Sequence, residues 1–301
     1  MRRYLAVLPL LLCACKSPEE SHMKVIIGAV MIDGQGGPPV SNSVVVVAGG
    51  EIREAGVSSN IPVPAEADKI DGSGRFLVPG FVDVCPQAEP QGMVRSDSPE
   101  EARAQVAARV KAKAPVIYIG KSSTAATQAA LEAAREAGIP AIGWAATEAG
   151  TNALVAMGAS GIVGMIRDTE TLDAALLARL RDLHIAVAPA LSTMPPGGEL
   201  EIARRNTLRL FAAGVPIAVA SLGGDVLREA EALADAGIPP LEVIVAATRN
   251  GALALHQLER RGTIQPGRIA DLILLAANPG EDVRNLRRVA GRLTAGEWIA
   301  K

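Results

Sequence analysis

Few residues of this chain have the types and spacing that catalysis requires. Cys85 directly follows the apolar run of residues 81–84 and is the soft nucleophile nearest to a strand end. A thiol attacks as its thiolate, and a cysteine without a neighbouring histidine or cation stays protonated and behaves as a small hydrophobic residue. The pattern therefore favours a structural Cys85 over a catalytic one. Asp83, two residues earlier, is interpreted as a structural hydrogen-bond acceptor.

The three histidines are scattered along the chain. His22 lies in a polar N-terminal stretch, His184 precedes the apolar run of residues 185–190, and His256 follows the last predicted helix. Each is interpreted as a surface or packing residue rather than a metal ligand. Carboxylates near strand ends are the remaining candidates for acid–base chemistry, and they are spread over separate loops: Glu148, Asp168 and Asp225.

Composition is that of an ordinary globular protein. The 301 residues are 49% apolar and 21% charged, and the net charge is −2. This length can bury one large α/β core, and the balanced charge provides no basic surface for nucleic acid. Nucleic acid is therefore excluded as an expected partner. Aromatic residues make up only 2% of the chain, which argues against a stacking platform for carbohydrate.

The N-terminus has the composition of a signal peptide. Two arginines precede an apolar run at residues 4–12 that is too short to cross a bilayer as a helix. The following residues resemble a bacterial lipobox, so residues 1–14 are predicted to be cleaved and Cys15 to be lipidated. A cleaved signal peptide without a lipid is the alternative. Residues 15–22 would then form a flexible tether, which predicts a membrane-anchored lipoprotein of the bacterial cell envelope, either periplasmic or on the outer surface.

Strand patterns are found at both ends of the remaining body. The pairs Asp33-Gly34 and Gly49-Gly50 are predicted turns between strands. β-branched and apolar runs around such turns predict β structure at residues 25–29, 44–47, 51–52, 75–78, 262–275 and 289–299.

The middle of the chain alternates Ala-rich amphipathic stretches with short apolar runs. Gly138 and Gly214 end two of these stretches, and a proline two residues later prevents the helix from continuing. Such alternation predicts an α/β barrel or an open parallel sheet. A last helix is predicted at residues 241–255. The six candidate strands are at residues 81–84, 116–119, 141–144, 162–166, 185–190 and 217–220.

Three stretches, at residues 72–83, 241–255 and 262–275, resemble the amidohydrolase superfamily in its imidazolonepropionase- and prolidase-like branch. The third is the most specific, because Ile-x-Pro-Gly-x-x-Ala-Asp-Leu from Ile264 is a long pattern. The resemblance implies an α/β fold: a shortened (β/α) TIM-like barrel with its site at the C-terminal strand ends, plus a small discontinuous β-sandwich domain formed by both termini. The implied domains are the β-sandwich at 23–78 and 262–301 and the barrel at 79–261.

The same resemblance implies a metal-dependent hydrolase of C–N bonds. Its ligands would be a His-x-His pair, a carboxylated lysine, two further histidines and an aspartate, which hold one or two divalent metals such as zinc. This chain has other residues at all six positions, which leaves neither the charge nor the imidazoles that a divalent ion needs. No cofactor is therefore expected, and the degenerate positions are Cys85, Gln87, Tyr118, Trp144, Gly164 and Leu222.

Three functional hypotheses follow from these observations. The first is a non-catalytic pseudoenzyme, anchored by its lipid, that binds a small ligand or a partner such as a second copy of itself or a related amidohydrolase. The second is a divergent hydrolase that acts at a relocated site on non-peptide C–N bonds, in cyclic amide or dipeptide-like substrates. The third is a decaying reading frame without a selected function.

Overall fold

A computed structural model describes residues 23–300. The predicted signal peptide, Cys15, the tether and His22 lie outside the described residues. Within residues 23–300, no helix is both long and apolar enough to cross a membrane. The chain begins with strands, as the β-branched runs predict: β1 (Lys24–Met31), β2 (Val40–Ala48), β3 (Glu51–Val57), β4 (Asp68–Asp71) and β5 (Phe76–Pro79).

The middle of the chain alternates helices with short parallel strands. Side chains of Ser98, Ser123 and Thr147 cap the first three helices by accepting a backbone N–H, which is why each helix begins where it does. The elements are α1 (Pro99–Lys111), β6 (Ile117–Ile119), α2 (Thr124–Glu136), β7 (Ala141–Trp144), α3 (Glu148–Met157), β8 (Gly161–Val163), α4 (Ala174–Asp182), β9 (Ala186–Ala188), α5 (Gly198–Ala212), α6 (Val226–Asp235), α7 (Pro240–Ala247) and α8 (Arg249–Ala254).

The C-terminal part returns to β structure with β10 (Leu272–Leu275), β11 (Val289–Thr294) and β12 (Glu297–Ala300). It joins the N-terminal strands in one sheet of order β12-β11-β10-β5-β1-β2-β3, and β4 also pairs with β1. The sheet curls so that the turn at Gly50, beside β3, meets the C-terminal segment around Ala270 and Gly296. Ala270 N donates to Gly50 O at 2.8 Å, and Gly296 N donates to Ala270 O at 3.1 Å. The curled sheet encloses its own apolar core, which includes Ile26, Val45, Leu77, Leu272 and Leu293.

A second sheet of order β6-β7-β8-β9 forms part of the barrel. It is extended by three segments without regular strand structure, of which one lies at the β6 edge, where Val94 pairs in parallel with Ile119. Val187 on β9 pairs with Ile217, and Val84 N donates to Val219 O at 2.9 Å, so residues 217–222 and 82–85 continue the parallel series. The Tyr118 hydroxyl on β6 donates to Val84 O at 2.8 Å across the junction between the segment 82–85 and β6. All six predicted runs therefore take part in the barrel, two of them as extended segments.

Several sequence-based boundaries were wrong. The last predicted helix, at residues 241–255, is two helices, because Thr248 has a non-helical backbone (φ −130°, ψ −82°). Val82 N donates to the carbonyl oxygen of Ala247 at 2.8 Å, which links this break to the barrel. The predicted strand at 162–166 ends at Val163, since Gly164 has φ +103°. The stretch at 262–275 is strand only from Leu272, and its earlier residues form turns.

Candidate functional site

The interior of the barrel is lined by small and apolar side chains. Alternate residues of the parallel segments point inward, and alanines occupy several of these positions on β9 and on the segment 217–222. Cys85, Tyr118, Trp144 and Leu222 belong to this same interior cluster. The structure therefore brings together four of the six positions at which the family resemblance places metal ligands.

Tyr118 and Trp144 fill much of the space at this end. Their rings meet edge to face with centroids 5.9 Å apart, a favourable arrangement for two aromatic side chains. Burial raises the pKa of the Tyr118 phenol, and the nearby Cys85 and Asp83 raise it further, so the hydroxyl stays protonated and donates to Val84 O. This tyrosine acts as a packing residue and as a link between barrel segments.

Cys85 is fully buried. Its Sγ lies 3.1 Å from the carbonyl oxygen of Gln87, to which the thiol donates, whereas Gln87 itself is an exposed residue. Burial raises the pKa of the Cys85 thiol to about 11; the Gln87 contact lowers it and the charge of Asp83 raises it. A thiol with this pKa is almost wholly protonated at neutral pH.

Gly164 faces the same end, but it has no room for a side chain. A Cβ atom built on Gly164 would overlap the carbonyl oxygen of Ala145 in the neighbouring strand end. The φ of +103° also disfavours any residue with a Cβ. A ligand-bearing side chain could be placed here only if the backbone moved.

Asp83 is a structural acceptor, as expected. Its Oδ1 accepts the N–H of Cys85 at 2.9 Å and the N–H of Ser221 at 3.1 Å. These bonds join the first barrel segment to the segment 217–222 at the C-terminal end of the barrel. The carboxylate of Asp83 is therefore used to satisfy backbone donors that no ladder hydrogen bond reaches.

The scattered acidic candidates are also engaged in local structure. Asp168 accepts the N–H of Glu148 at 3.0 Å, and Glu148 accepts the N–H of Asp173 at 2.7 Å. Asp225 caps α6 and binds Arg287 at 2.6 Å. Burial raises the pKa of Asp225, but the hydrogen bonds from Arg287 and the backbone outweigh it, and the pKa is lowered overall. The structure therefore brings Glu148, at the start of α3, next to Asp168, and each of the three carboxylates is used in local hydrogen bonds.

The sequence analysis missed Glu229, a carboxylate of α6 with no solvent exposure. Its two oxygens accept the N–H groups of Leu191 at 2.9 Å and Ser192 at 2.7 Å, directly after β9. Burial raises the pKa of Glu229; the Ser192 and Leu191 hydrogen bonds lower it, and Asp83 raises it again, so the pKa is raised overall. An acidic residue on the apolar face shared by Ala230 and Leu233 was the available signal.

A pocket of about 300 Å³ opens at the C-terminal strand ends, and we call it the rim pocket. The 3₁₀ helix Leu191–Thr193, held by Glu229, forms one side of it. Arg167 supplies a positive charge, which Glu199 neutralises at 3.1 Å. The other lining residues are mostly apolar and include Trp144, Gly164, Met165, Met194 and Leu222.

These residues do not fit a divalent metal. Zinc requires thiolate, imidazole or carboxylate ligands that converge, whereas this end of the barrel offers a protonated thiol, a phenol and an indole, and the nearby Asp83 carboxylate accepts backbone N–H groups. Among residues 23–300, no three histidine, cysteine, aspartate or glutamate side chains are grouped so that they could hold a metal ion. His184 and His256 lie near the opposite, N-terminal ends of the strands, where they line a different cavity.

The chain belongs to the amidohydrolase family, whose family model matches residues 96–298. A comparison with curated proteins gives no match. Solved structures with the same fold include a molinate hydrolase (TM-score 0.78, 15% identity, 93% of this chain and 95% of that chain covered). A putative prolidase from Bifidobacterium longum has TM-score 0.78 and 21% identity over the same fractions. The A. niger ochratoxinase has TM-score 0.80 and 16% identity, and covers 92% of this chain and 95% of its own.

Proposed function

We propose that this amidohydrolase-family chain is a non-catalytic lipoprotein that binds a small, largely uncharged ligand in the rim pocket. The observation that carries the proposal is the packing of Cys85, Tyr118, Trp144 and Leu222 into one apolar cluster at the end of the barrel where the family resemblance places the metal. An apolar site with a neutralised arginine suits an uncharged ligand better than an ion.

The anchor at Cys15 would hold this body at the surface of a cell-envelope membrane. Stable anchoring takes more than one acyl chain, which the lipobox-like sequence supplies. A membrane-bound body that collects a ligand could pass it to a second copy or to a related, active amidohydrolase. Labelling with a clickable palmitate analogue, compared between the native chain and Cys15→Ser, tests the anchor: label on both would contradict it.

A divergent hydrolase is the alternative, since the structural neighbours include a molinate hydrolase and a prolidase by name. Such an enzyme would need a free base or nucleophile at this end of the barrel. Asp83 and Glu229 accept backbone N–H groups, and Cys85 is buried with a raised pKa. All three groups already serve as partners within the fold, which favours the binding function over catalysis.

Metal analysis of the full chain tests the proposal directly. The protein is produced with excess zinc and manganese, desalted and analysed for bound metal. We expect less than about 0.1 equivalent, because resident zinc binds too tightly to be lost on desalting. One equivalent or more would contradict the proposal. Cys85→Ser is the matched control, since a metal that disappears with it would lie in the interior cluster.

Thiol reactivity separates the two functions independently. Iodoacetamide labelling at pH 7, read peptide by peptide, should modify Cys85 slowly in the folded chain and rapidly after denaturation, because only unfolding removes the burial that raises its pKa. Fast labelling of folded Cys85 would favour a nucleophile. Release of proline from dipeptides, or opening of cyclic amides, by the metal-treated chain would establish the alternative.

A further inference from the structure

A second cavity, of about 400 Å³, opens at the N-terminal ends of β7, β8 and β9. It lies at the opposite end of the barrel from the rim pocket, and we call it the lower cavity. Its volume is within the range of small-molecule sites. Its walls are mainly apolar and include Leu131, Ile139, Val155, Ile185 and Leu253.

Four helices end at the lower cavity, each with a residue of left-handed backbone conformation. In α2 and α3 these residues are Gly138 (φ +68°) and Gly158 (φ +84°). After α4 and α8 they are His184 (φ +52°) and His256 (φ +53°). Glycine adopts this conformation without steric cost and is the usual residue at such helix ends. A left-handed conformation has a steric cost for histidine, and both histidines are exposed residues that line the cavity.

The polar groups of the lower cavity are donors. Arg135 lines it; the arginine lies close enough to Glu132 to lower the pKa of that carboxyl, but the two side chains form no direct ion pair. The Ser160 oxygen accepts the N–H of Ala141 at 3.1 Å, which leaves its own hydroxyl hydrogen free to donate. Burial lowers the pKa of the His256 imidazole. No aspartate or glutamate is among the lining residues described.

Cations near helix C-termini also offset the helix dipole, and this accounts for the charge of Arg135. It does not account for an apolar cavity of this size, nor for two histidines in the conformation that suits glycine. A ligand with an apolar body and an anionic head would complement all three features. Carboxylates bind guanidinium and imidazole N–H groups through charge-assisted hydrogen bonds.

We propose that the lower cavity binds a small carboxylate with an apolar body, held by Arg135, His184 and His256. The volume allows roughly a dozen water-sized groups, which suits a monocarboxylate of about ten non-hydrogen atoms. Octanoate has this size and is a suitable probe. The site is separate from the rim pocket, so either proposal can fail without the other.

Calorimetric titration of octanoate into the full chain tests the proposal. We expect a Kd below about 1 mM and binding about tenfold tighter than that of 1-octanol, which has the same body without the charge. Octylammonium should bind no better than the alcohol. Equal affinity for octanoate and 1-octanol would overturn the proposal, because it would leave the charge of Arg135 without a role.

Variants locate the site. Arg135→Gln should weaken octanoate binding about tenfold or more, whereas Arg228→Gln, on α6, should leave it unchanged. The double variant His184→Gly and His256→Gly relieves the left-handed strain, so its thermal midpoint should not fall while its affinity falls about tenfold. An unchanged affinity would show that the histidines only end helices.

The variant Met194→Trp, which fills the rim pocket, tests the location of the site. Loss of octanoate binding in this variant would place octanoate in the rim pocket and contradict the proposal.

Discussion

The two ends of the barrel use polar residues in opposite ways. At the C-terminal end, Asp83, Glu229 and Tyr118 all form hydrogen bonds with backbone groups of neighbouring segments. At the N-terminal end, Arg135 and the histidines face a cavity instead. Polar groups at the first end are used to join barrel segments, whereas the side chains of Arg135 and the two histidines at the second end form no hydrogen bond found among residues 23–300. The two ends of one barrel thus differ in whether the fold itself satisfies their polar groups.

The largest expected effect is at Glu229. Glu229→Ala removes the acceptor of two backbone N–H groups and leaves a void, and we expect the free energy of unfolding to fall by about 3 to 5 kcal/mol. Denaturant unfolding followed by circular dichroism measures the loss. A loss below about 1 kcal/mol would mean that the C-terminal end does not depend on this carboxylate.

Glu229→Gln is the matched control, because it keeps the shape and does not titrate. The pKa of Glu229 is raised above its usual 4.5 in the folded state, so the folded chain binds more protons than the unfolded chain between the two pKa values. The stability of the native chain relative to Glu229→Gln should therefore rise as the pH falls through the folded-state pKa toward 4.5. A relative stability that falls over this window would contradict the raised pKa.

A smaller loss is expected at Asp83. Asp83→Ala leaves the N–H groups of Cys85 and Ser221 without their acceptor, and we expect a loss of about 2 kcal/mol in unfolding free energy. Asp83→Asn keeps one amide oxygen as acceptor and should lose less. If both variants were as stable as the native chain but lost a hydrolytic activity, Asp83 would be a catalytic group, and the contrast between the two ends would fail.

Tyr118→Phe keeps the ring against Trp144 and removes only the hydroxyl that donates to Val84 O. We expect a loss of about 1 kcal/mol, the usual net value of one hydrogen bond. Hydrogen exchange of the segment 82–85 by mass spectrometry should increase, because its link to β6 is lost. Unchanged exchange and stability would show that this junction is held by packing alone.

The smallest effect, with the opposite sign, is expected at the N-terminal end. His184→Gly should raise the free energy of unfolding by about 1 kcal/mol, because glycine is unstrained at φ +52°. Gly158→Ala is the reciprocal control and should lower the stability by a similar amount, since φ is +84° and the Cβ would contact nothing within 4 Å. A destabilising His184→Gly would show that the fold does use this imidazole.

The sequence by itself determined the family, the order of the elements and most of the turns. Periodicity and glycine positions are local properties, so β7 was predicted with its observed bounds and Gly138 was correctly predicted to end α2. The pattern around Asp271 likewise indicated the return to the curled sheet, where its Oδ1 accepts Ala295 N at 2.8 Å. Positions relative to strand ends also brought Cys85, Tyr118, Trp144 and Leu222 into one predicted region, and the structure clusters them.

Only the tertiary structure decided what those positions can do. The role of Glu229 depends on the loop after β9, which lies 37 residues or more away in sequence. The break at Thr248 is accompanied by a hydrogen bond from Val82 N to the carbonyl oxygen of Ala247. Local sequence patterns do not indicate this contact. The lower cavity exists because four separate helices end at one place. Burial, pKa and cavities arise from the convergence of distant segments, whereas sequence patterns report only the local geometry of each one.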